Sequence, residues 1–361
     1  MPKIVPSFSK FVCVMSVSLF CAIHAESASA ACIGGPVQVA LCATSGFSSS
    51  ASAVGNAFGT EFLGVQFPLT GGGSYGPGAV GYGVWTRGFV DQSRTRATLS
   101  TSALGGGSIS GRSTTDTQGL QFGFDVGKFN IENTNWSVQI GLTGGSVWLA
   151  PTNSNGSNFS VPFVGGYVTA TNGGFFAQTQ LLRGFVRGTI TSPDANLNSA
   201  SSSGRVVSWS GLVGYHYMFG DWSVEPTAGF SLTRLAISNL NVGGGASALP
   251  SGVLSFSSVN SDLGYTGIRV GHAFDMGGVS LNPYVSASVW NDFNKSSSST
   301  FSSPAINVPI TTSRIGAFGQ FSLGTSAYLP NTGLTGFVRG DYRTGDNING
   351  WAVTGGVRYS F

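Results

Sequence analysis

The last twelve residues, GWAVTGGVRYSF, alternate between two kinds of side chain. Successive side chains of a β-strand point to opposite faces. One face of this segment is large, apolar or aromatic apart from one glycine, and the other is small, polar or charged: Trp351, Val353, Gly355, Val357, Tyr359 and Phe361 against Ala352, Thr354, Gly356, Arg358 and Ser360. This pattern is typical of a transmembrane β-strand with lipid on one side and a wet lumen on the other.

The composition agrees with membrane strands and argues against membrane helices. Only 9% of the 361 residues are charged, whereas soluble domains carry about 25%. No stretch approaches the ~20 consecutive apolar residues that a membrane helix needs. The chain contains 55 Gly, and its net charge of +3 is too small to indicate nucleic-acid binding. These features favour an all-β membrane protein.

The N-terminus is typical of an export signal. Lys3 and Lys10 are followed by an apolar stretch over 11–23 and by the small residues Ala28-Ser29-Ala30. We therefore predict a signal peptide over residues 1–30. A lipobox ending at Cys32 is a weaker alternative, because Ser29 stands where Leu is usual.

Two cysteines, Cys32 and Cys42, remain after the predicted signal. In an exported chain an even number of cysteines favours a disulfide, with two free thiols as the alternative. Two cysteines without a nearby cluster of His or acidic residues supply too few ligands for a metal, so no metal site is predicted.

Alternating segments recur through the rest of the chain and predict a twelve-stranded antiparallel transmembrane β-barrel over residues 82–361. The connections after odd-numbered strands are mostly long and rich in Ser, Gly and Asn, whereas those after even-numbered strands are mostly short. Outer-membrane barrels have this rhythm of long extracellular loops and short periplasmic turns. The predicted strands are 82–91, 117–128, 134–147, 158–170, 174–188, 205–219, 222–235, 262–274, 278–292, 311–326, 333–343 and 350–361, with long loops at 92–116, 189–204, 236–261 and 293–310.

Residues 31–81 differ from the barrel, since they are small and rich in Gly and Ser. Residues 51–67 could form a weak helix, interrupted by glycines and thin enough to thread a barrel lumen. The lumen of a twelve-stranded barrel is wider than side chains alone can fill. Glu61 is the one acidic residue between residues 32 and 90, so it is the candidate partner for lumenal arginines.

Several segments resemble the C-terminal translocator domain of autotransporters, the type V secretion proteins of Gram-negative bacteria. They are VWTRGF from Val84, TQGLQFGFDVG from Thr117, GDWSVEPTAGFSLTRL from Gly220 and TGFVRGDYRTGDNINGWAVTGGVRYSF ending at Phe361. The resemblance implies a twelve-stranded barrel, inserted by the outer-membrane assembly machinery, which places an N-terminal passenger at the cell surface. It also implies a helix in the lumen just before the first strand. This chain departs from the family in its passenger, because only 31–81 precede the barrel.

The candidate site residues are charged groups on the predicted lumenal face. They either form a paired network that fills and stiffens the lumen, or a charged constriction that holds a plug helix or tunes ion selectivity: Arg87, Asp91, Asp125, Arg339, Asp341, Arg343 and Arg358. Tyr359 and Phe361 are predicted to form the assembly signal of the closing strand. A third set is expected to anchor the barrel at the membrane interfaces: Trp85, Trp136, Trp209, Trp222, Trp351 and Tyr359.

The leading functional hypothesis is an outer-membrane translocator, without catalytic residues or cofactor, that exposes a short N-terminal segment. The two histidines beyond the signal, His216 and His272, are interpreted as polar residues of the barrel. The alternative is a stand-alone channel or surface-structural barrel, with 31–81 as a plug or periplasmic extension. The expected partners are outer-membrane lipid, the barrel assembly machinery and periplasmic chaperones. We expect a monomeric barrel that binds no nucleic acid.

Overall fold

The fold is described from a computed structural model. It covers residues 41, 51–52, 54–61, 78–102, 107–131, 134–151, 157–192, 196–244, 250–257, 259–329 and 332–361. The predicted signal peptide and both Cys32 and Cys42 lie outside these ranges. Among the described residues, no helix has the length and apolar character to cross a bilayer.

The described part of the chain includes a short helix, α1, over 51–52 and 54–60, and eighteen strands in a single antiparallel sheet. The strands are β1 (Val80–Thr101), β2 (Gly107–Lys128), β3 (Trp136–Pro151), β4 (Asn158–Asn172), β5 (Phe175–Ser192), β6 (Leu197–Tyr215), β7 (Tyr217–Phe219), β8 (Trp222–Ile237), β9 (Leu240–Val242), β10 (Gly252–Phe256), β11 (Val259–His272), β12 (Phe274–Asp275), β13 (Ser280–Asp292), β14 (Ser296–Ser302), β15 (Asn307–Ser313), β16 (Ala317–Leu329), β17 (Leu334–Gly345) and β18 (Ile348–Ser360).

The sheet closes into a ring because the first strand pairs with the last. β1 pairs with β18 from Gly83 to Thr95 and with β2 along its whole length. The ring runs β1-β2-β3-β4-β5-β6-β8-β11-β13-β16-β17-β18, with β7 continuing β6 and β12 continuing β11. The predicted twelve-stranded antiparallel barrel is therefore confirmed. The Gly220 turn, the start of β1 and the end of β18 lie at the same end of the barrel, which we call the short-turn end. We call the opposite end the long-loop end.

The two faces of the wall follow the alternation in the sequence. On β18, Trp351 and Tyr359 are exposed on the outside, whereas Thr354 and Arg358 are buried inside. The other strands repeat this division, so an apolar band surrounds the barrel. The prediction that Trp85 faces the membrane interface is wrong. Its indole points inward and donates a hydrogen bond to the Tyr167 hydroxyl at 2.6 Å.

Glycines of the inner face lie beneath aromatic rings of the neighbouring strand. A Cβ atom on Gly119 would collide with the ring of Phe89, and one on Gly123 would collide with the indole of Trp85. Tyr167 covers Gly141 in the same way. Inward-facing rings therefore lie flat along the wall, and part of the unusual glycine content serves this close packing.

The long-loop end is built largely of strands, and this corrects all four long loops predicted from the sequence, 92–116, 189–204, 236–261 and 293–310. Most of 92–116, predicted as a loop, continues β1 and β2. The predicted strand 311–326 begins at Ala317, since 311–313 belong to β15. The short strands β9, β10, β14 and β15 pair in that order, and β15 joins β1 at Leu99 and Ser100. Inside this extension the lumen is apolar, with buried Leu254 and Phe301.

Candidate functional site: a helix held in the barrel lumen

The helix α1 fills part of the lumen and is buried against the wall on two sides. Gly55 and Gly59 are one helical turn apart and face β11. A Cβ atom on Gly59 would collide with the Leu263 side chain, whereas one on Gly55 would lie in ordinary contact with Ser261 at 3.9 Å. On another side Phe58 is fully buried and meets Phe163 edge-on, with ring centroids 5.8 Å apart. The helix therefore has one face of glycines and one face with a large side chain, so it can pack off-centre in the lumen.

The end of α1 is bound to the wall through Arg343. Its guanidinium forms an ion pair with Glu61, a second with Asp91 at 2.7 Å, and a hydrogen bond to the Gln320 amide oxygen at 3.1 Å. The side chains of Arg343 and Glu61 are 2% and 1% exposed. Beside them Arg339 pairs with Asp341 at 2.9 Å. One buried arginine thus neutralises a carboxylate of the helix and a carboxylate of the wall.

A second arginine, Arg314, binds the helix one and two turns before Glu61. Arg314 lies between β15 and β16 and pairs with Asp292 at 3.1 Å. Its two terminal nitrogens donate to Asn56 at 3.2 Å and to the Ser52 hydroxyl at 3.3 Å. Arg314 and Arg343 together bind the helix at three successive positions along its axis, Ser52, Asn56 and Glu61. This charge-assisted attachment restrains both the position and the rotation of α1.

A separate cluster crosses the seam where the barrel closes. Arg358 of β18 donates two hydrogen bonds to Asp125 of β2, at 2.6 and 2.8 Å. The strand between them, β1, carries Gly83 at this point, and a Cβ there would collide with the guanidinium. Tyr167 also donates to Asp125, at 2.6 Å. The pair joins β2 to β18 across β1, so it is a staple that holds together the strands on both sides of the first strand.

The final residue extends the same seam toward the short-turn end. The backbone groups of Phe361 and Tyr82 exchange two hydrogen bonds of 2.9 Å. Their rings stack with centroids 6.0 Å apart, and the ring of Tyr359 stacks on Phe361 at 5.7 Å. The predicted assembly residues therefore lie on the outer face, directly at the closing edge.

The two histidines lie near the short-turn end. The His216 Nδ1 atom is 3.2 Å from Glu225, which also pairs with Arg269 at 3.1 Å. The ring of His272 packs between Trp222 and Phe274. Within the described ranges, no group of three His, Cys, Asp or Glu side chains is arranged to hold a metal ion.

The structure brings all seven charged residues named from the sequence into the buried interior, in two groups. Asp125 and Arg358 form the seam staple, and the others lie around the end of α1: Arg87, Asp91, Arg339, Asp341 and Arg343. Arg87 donates to the Gln121 side chain at 2.5 Å. The sequence analysis missed Asp292, at the end of β13, and Arg314, in the connection between β15 and β16, and it also missed Asn56.

The described residues before β1 show in which direction the N-terminal segment passes through the barrel. Leu41 is buried next to Gly107, the first residue of β2, at the long-loop end. The helix then passes Arg314 and reaches Arg343 at Glu61. Gly78 follows at the short-turn end, where its amide donates to the Phe129 carbonyl at 2.9 Å. From Leu41 to Gly78, the chain therefore runs from one end of the barrel to the other.

A closed barrel with an apolar outer band and a helix in its lumen defines a transport barrel of the outer membrane. The Autotransporter beta-domain family model matches residues 84–341, more than half of the chain, and the chain belongs to this family. The protein is thus an autotransporter-type translocator barrel located in the bacterial outer membrane.

Two solved structures show the same fold. The beta domain of the Bordetella autotransporter BrkA is 21% identical, covers 77% of this chain and 98% of its own, and has a TM-score of 0.58. The transport unit of the autotransporter AIDA-I from Escherichia coli is 15% identical, covers 87% of this chain and 98% of its own, and has a TM-score of 0.57. A search of curated proteins gives no significant match.

Proposed function

We propose that this translocator holds a short N-terminal segment at the cell surface and performs no catalysis. The observation that carries the proposal is the direction of the chain before β1, from Leu41 at the long-loop end to Gly78 at the short-turn end. In outer-membrane barrels the long loops face the exterior and the short turns face the periplasm. The residues that precede Leu41 would then emerge outside the cell.

The contacts of α1 support a stable end state of export. Arg314 and Arg343 bind the helix through buried, charge-assisted hydrogen bonds, and the apolar extension packs around Leu41 and Phe58. Releasing the helix would break the buried ion pair of Glu61 with Arg343 and the hydrogen bonds from Arg314 to Asn56 and Ser52, and breaking a buried ion pair is costly. The segment would therefore remain anchored in the barrel with its N-terminal side exposed.

The arrangement of polar groups supports a non-catalytic role. Of the described histidines, His216 contacts Glu225 and Met218, and His272 packs between aromatic rings near the short-turn end. Neither ring is hydrogen-bonded to a serine or threonine hydroxyl of the described residues that it could activate as a nucleophile. We also infer that the partners are outer-membrane lipid, the assembly machinery and periplasmic chaperones, and that the barrel acts as a monomer.

An epitope inserted between Gly34 and Gly35 tests surface exposure. This position avoids the buried Leu41 and Ala51. We expect antibody binding to intact cells and removal of the epitope by external protease. The control carries the same epitope between Gly220 and Asp221, in a short turn, and should be detected only after the outer membrane is permeabilised. If the epitope at Gly34 binds no antibody and resists external protease on intact cells while the barrel is correctly folded, the alternative is favoured, a channel or structural barrel that exports nothing.

A further inference from the structure

Three arginines form a cluster on the outer surface of the barrel, on β5 and β6. Arg205 lies directly opposite Phe185 in the strand pairing, and Arg183 and Arg187 flank Phe185 two residues away on the same face. All three side chains are exposed. Diagonal neighbours on one face of an antiparallel pair are about 7–8 Å apart. We call Arg183, Arg187 and Arg205 the arginine triangle.

The arginine triangle lacks partners within the described part of the chain. No described residue forms a hydrogen bond or ion pair with any of the three, and Arg183 contacts only the Phe185 ring, at 5.8 Å. The directly paired residues on neighbouring strands include Ser160 and Val207 but no carboxylate. Every lumenal arginine described above, in contrast, is bound to a carboxylate or an amide. Three like charges held this close on one face repel one another unless an anion lies between them.

The location of the triangle points to a lipid headgroup. It borders the apolar band on the side of the long-loop end, next to the exposed Leu181 and Trp209. The exposed outward charges at the short-turn end are different, because Lys128 is accompanied there by Asp221 and Asp275. The excess of positive charge therefore belongs to the half of the wall that faces the outer leaflet.

We propose that the arginine triangle binds the phosphate groups of lipopolysaccharide in the outer leaflet. The guanidinium group offers paired donors that match phosphate oxygens. The aromatic Phe185 at the centre would contact the start of the acyl chains, as interfacial aromatic residues do. The triangle thus combines anion recognition with an apolar surface continuous with the membrane band, and it is a lipid-binding site separate from the lumen.

The test uses the full chain, extracted from outer membranes in detergent and freed of bound lipid. Binding of lipopolysaccharide is measured by native mass spectrometry for the unaltered chain and for the triple variant Arg183→Gln, Arg187→Gln, Arg205→Gln. We expect at least about tenfold weaker binding by the triple variant, the equivalent of one strong charge-assisted hydrogen bond. Dephosphorylated lipopolysaccharide should bind the unaltered chain as weakly as lipopolysaccharide binds the variant.

A matched control removes three exposed positive charges that lie apart from one another on the barrel instead: Arg94→Gln, Lys128→Gln and Lys295→Gln. This variant has the same net charge and should retain most of the affinity. The triple substitution to lysine, which keeps the charge but loses the paired donors, should bind at least about threefold more weakly than the unaltered chain. Heat-modifiable migration on gels verifies folding of each variant.

Three results would overturn the proposal. They are equal affinity of the glutamine variant and the unaltered chain, the same loss in the control that removes three separate charges, and displacement of lipopolysaccharide by an equal amount of phosphatidylglycerol. The second would mean that binding depends on overall charge, and the third that any anionic lipid suffices.

Discussion

Replacing Arg343 by methionine should destabilise the barrel and loosen the helix. Methionine keeps an apolar stem of similar length but removes the guanidinium that pairs with Glu61 and, at 2.7 Å, with Asp91. Both carboxylates are buried, at 1% and 6% side-chain exposure. Removing one partner of a buried ion pair costs about 3–5 kcal/mol, because the remaining charge stays desolvated. We expect a loss of this size in the free energy of unfolding.

A second variant tests the cause of that loss. In the double variant Arg343→Met, Glu61→Gln, one of the two uncompensated carboxylates becomes neutral. Its free energy of unfolding should recover by about 1–3 kcal/mol relative to Arg343→Met alone, the usual cost of an unsatisfied buried polar group. The measurement is urea unfolding in detergent micelles, followed by tryptophan fluorescence and by heat-modifiable migration on gels.

The control is Arg94→Met on the outer face of β1, where the side chain is exposed. Its effect should stay within about 0.5 kcal/mol. The reasoning would be refuted if Arg343→Met behaved like this control, or if the double variant were less stable than the single one.

Three further predictions concern the lumen and the seam. A chain that lacks 31–77 should show higher conductance in planar bilayers than the chain without that deletion, because α1 occupies the bore; equal and large conductance in both would mean an open lumen. Deleting Phe361 should reduce the heat-modifiable barrel in the outer membrane, because its two backbone bonds to the first strand are lost; unchanged insertion kinetics would argue against an assembly role. Gly83→Ala should lower the free energy of unfolding by about 1–3 kcal/mol, since its Cβ displaces Arg358 from its charged hydrogen bonds. Gly88→Ala, whose Cβ would come no closer than 3.6 Å to the wall, is the control, and an equal loss in both variants would exclude the staple as the cause.

The membrane-embedded part of the fold is predictable from sequence because lipid on one side and water on the other enforce alternation. The residue types of β18 are enough to predict which of its side chains face lipid and which face the lumen. Beyond the apolar band this constraint ends, since both faces of β1 after Val90 can be polar. The segment 92–101 therefore has the composition of a loop although it is strand. The same reason hides β14, where a run of serines surrounds the buried Phe301.

The site is predictable to the level of residue type and face, but its pairing is not. Acidic residues are scarce before the barrel, so Glu61 stands out as a partner for a lumenal arginine, and the structure pairs it with Arg343. The contact of Arg314 with Asn56 joins positions far apart in the chain and depends on where the helix lies in the lumen relative to the connection between β15 and β16. Trp85 misled the prediction because apolar residues stand on both faces near the start of β1.

Labelling of single cysteines on intact cells tests most directly whether the N-terminal segment reaches the cell surface. With Cys32 and Cys42 replaced by serine, Gly34→Cys and Asp221→Cys are each exposed to a membrane-impermeant maleimide. The proposed function predicts labelling of Gly34→Cys on intact cells and labelling of Asp221→Cys only after permeabilisation. Protection of Gly34→Cys on intact cells, with labelling after permeabilisation, would contradict it.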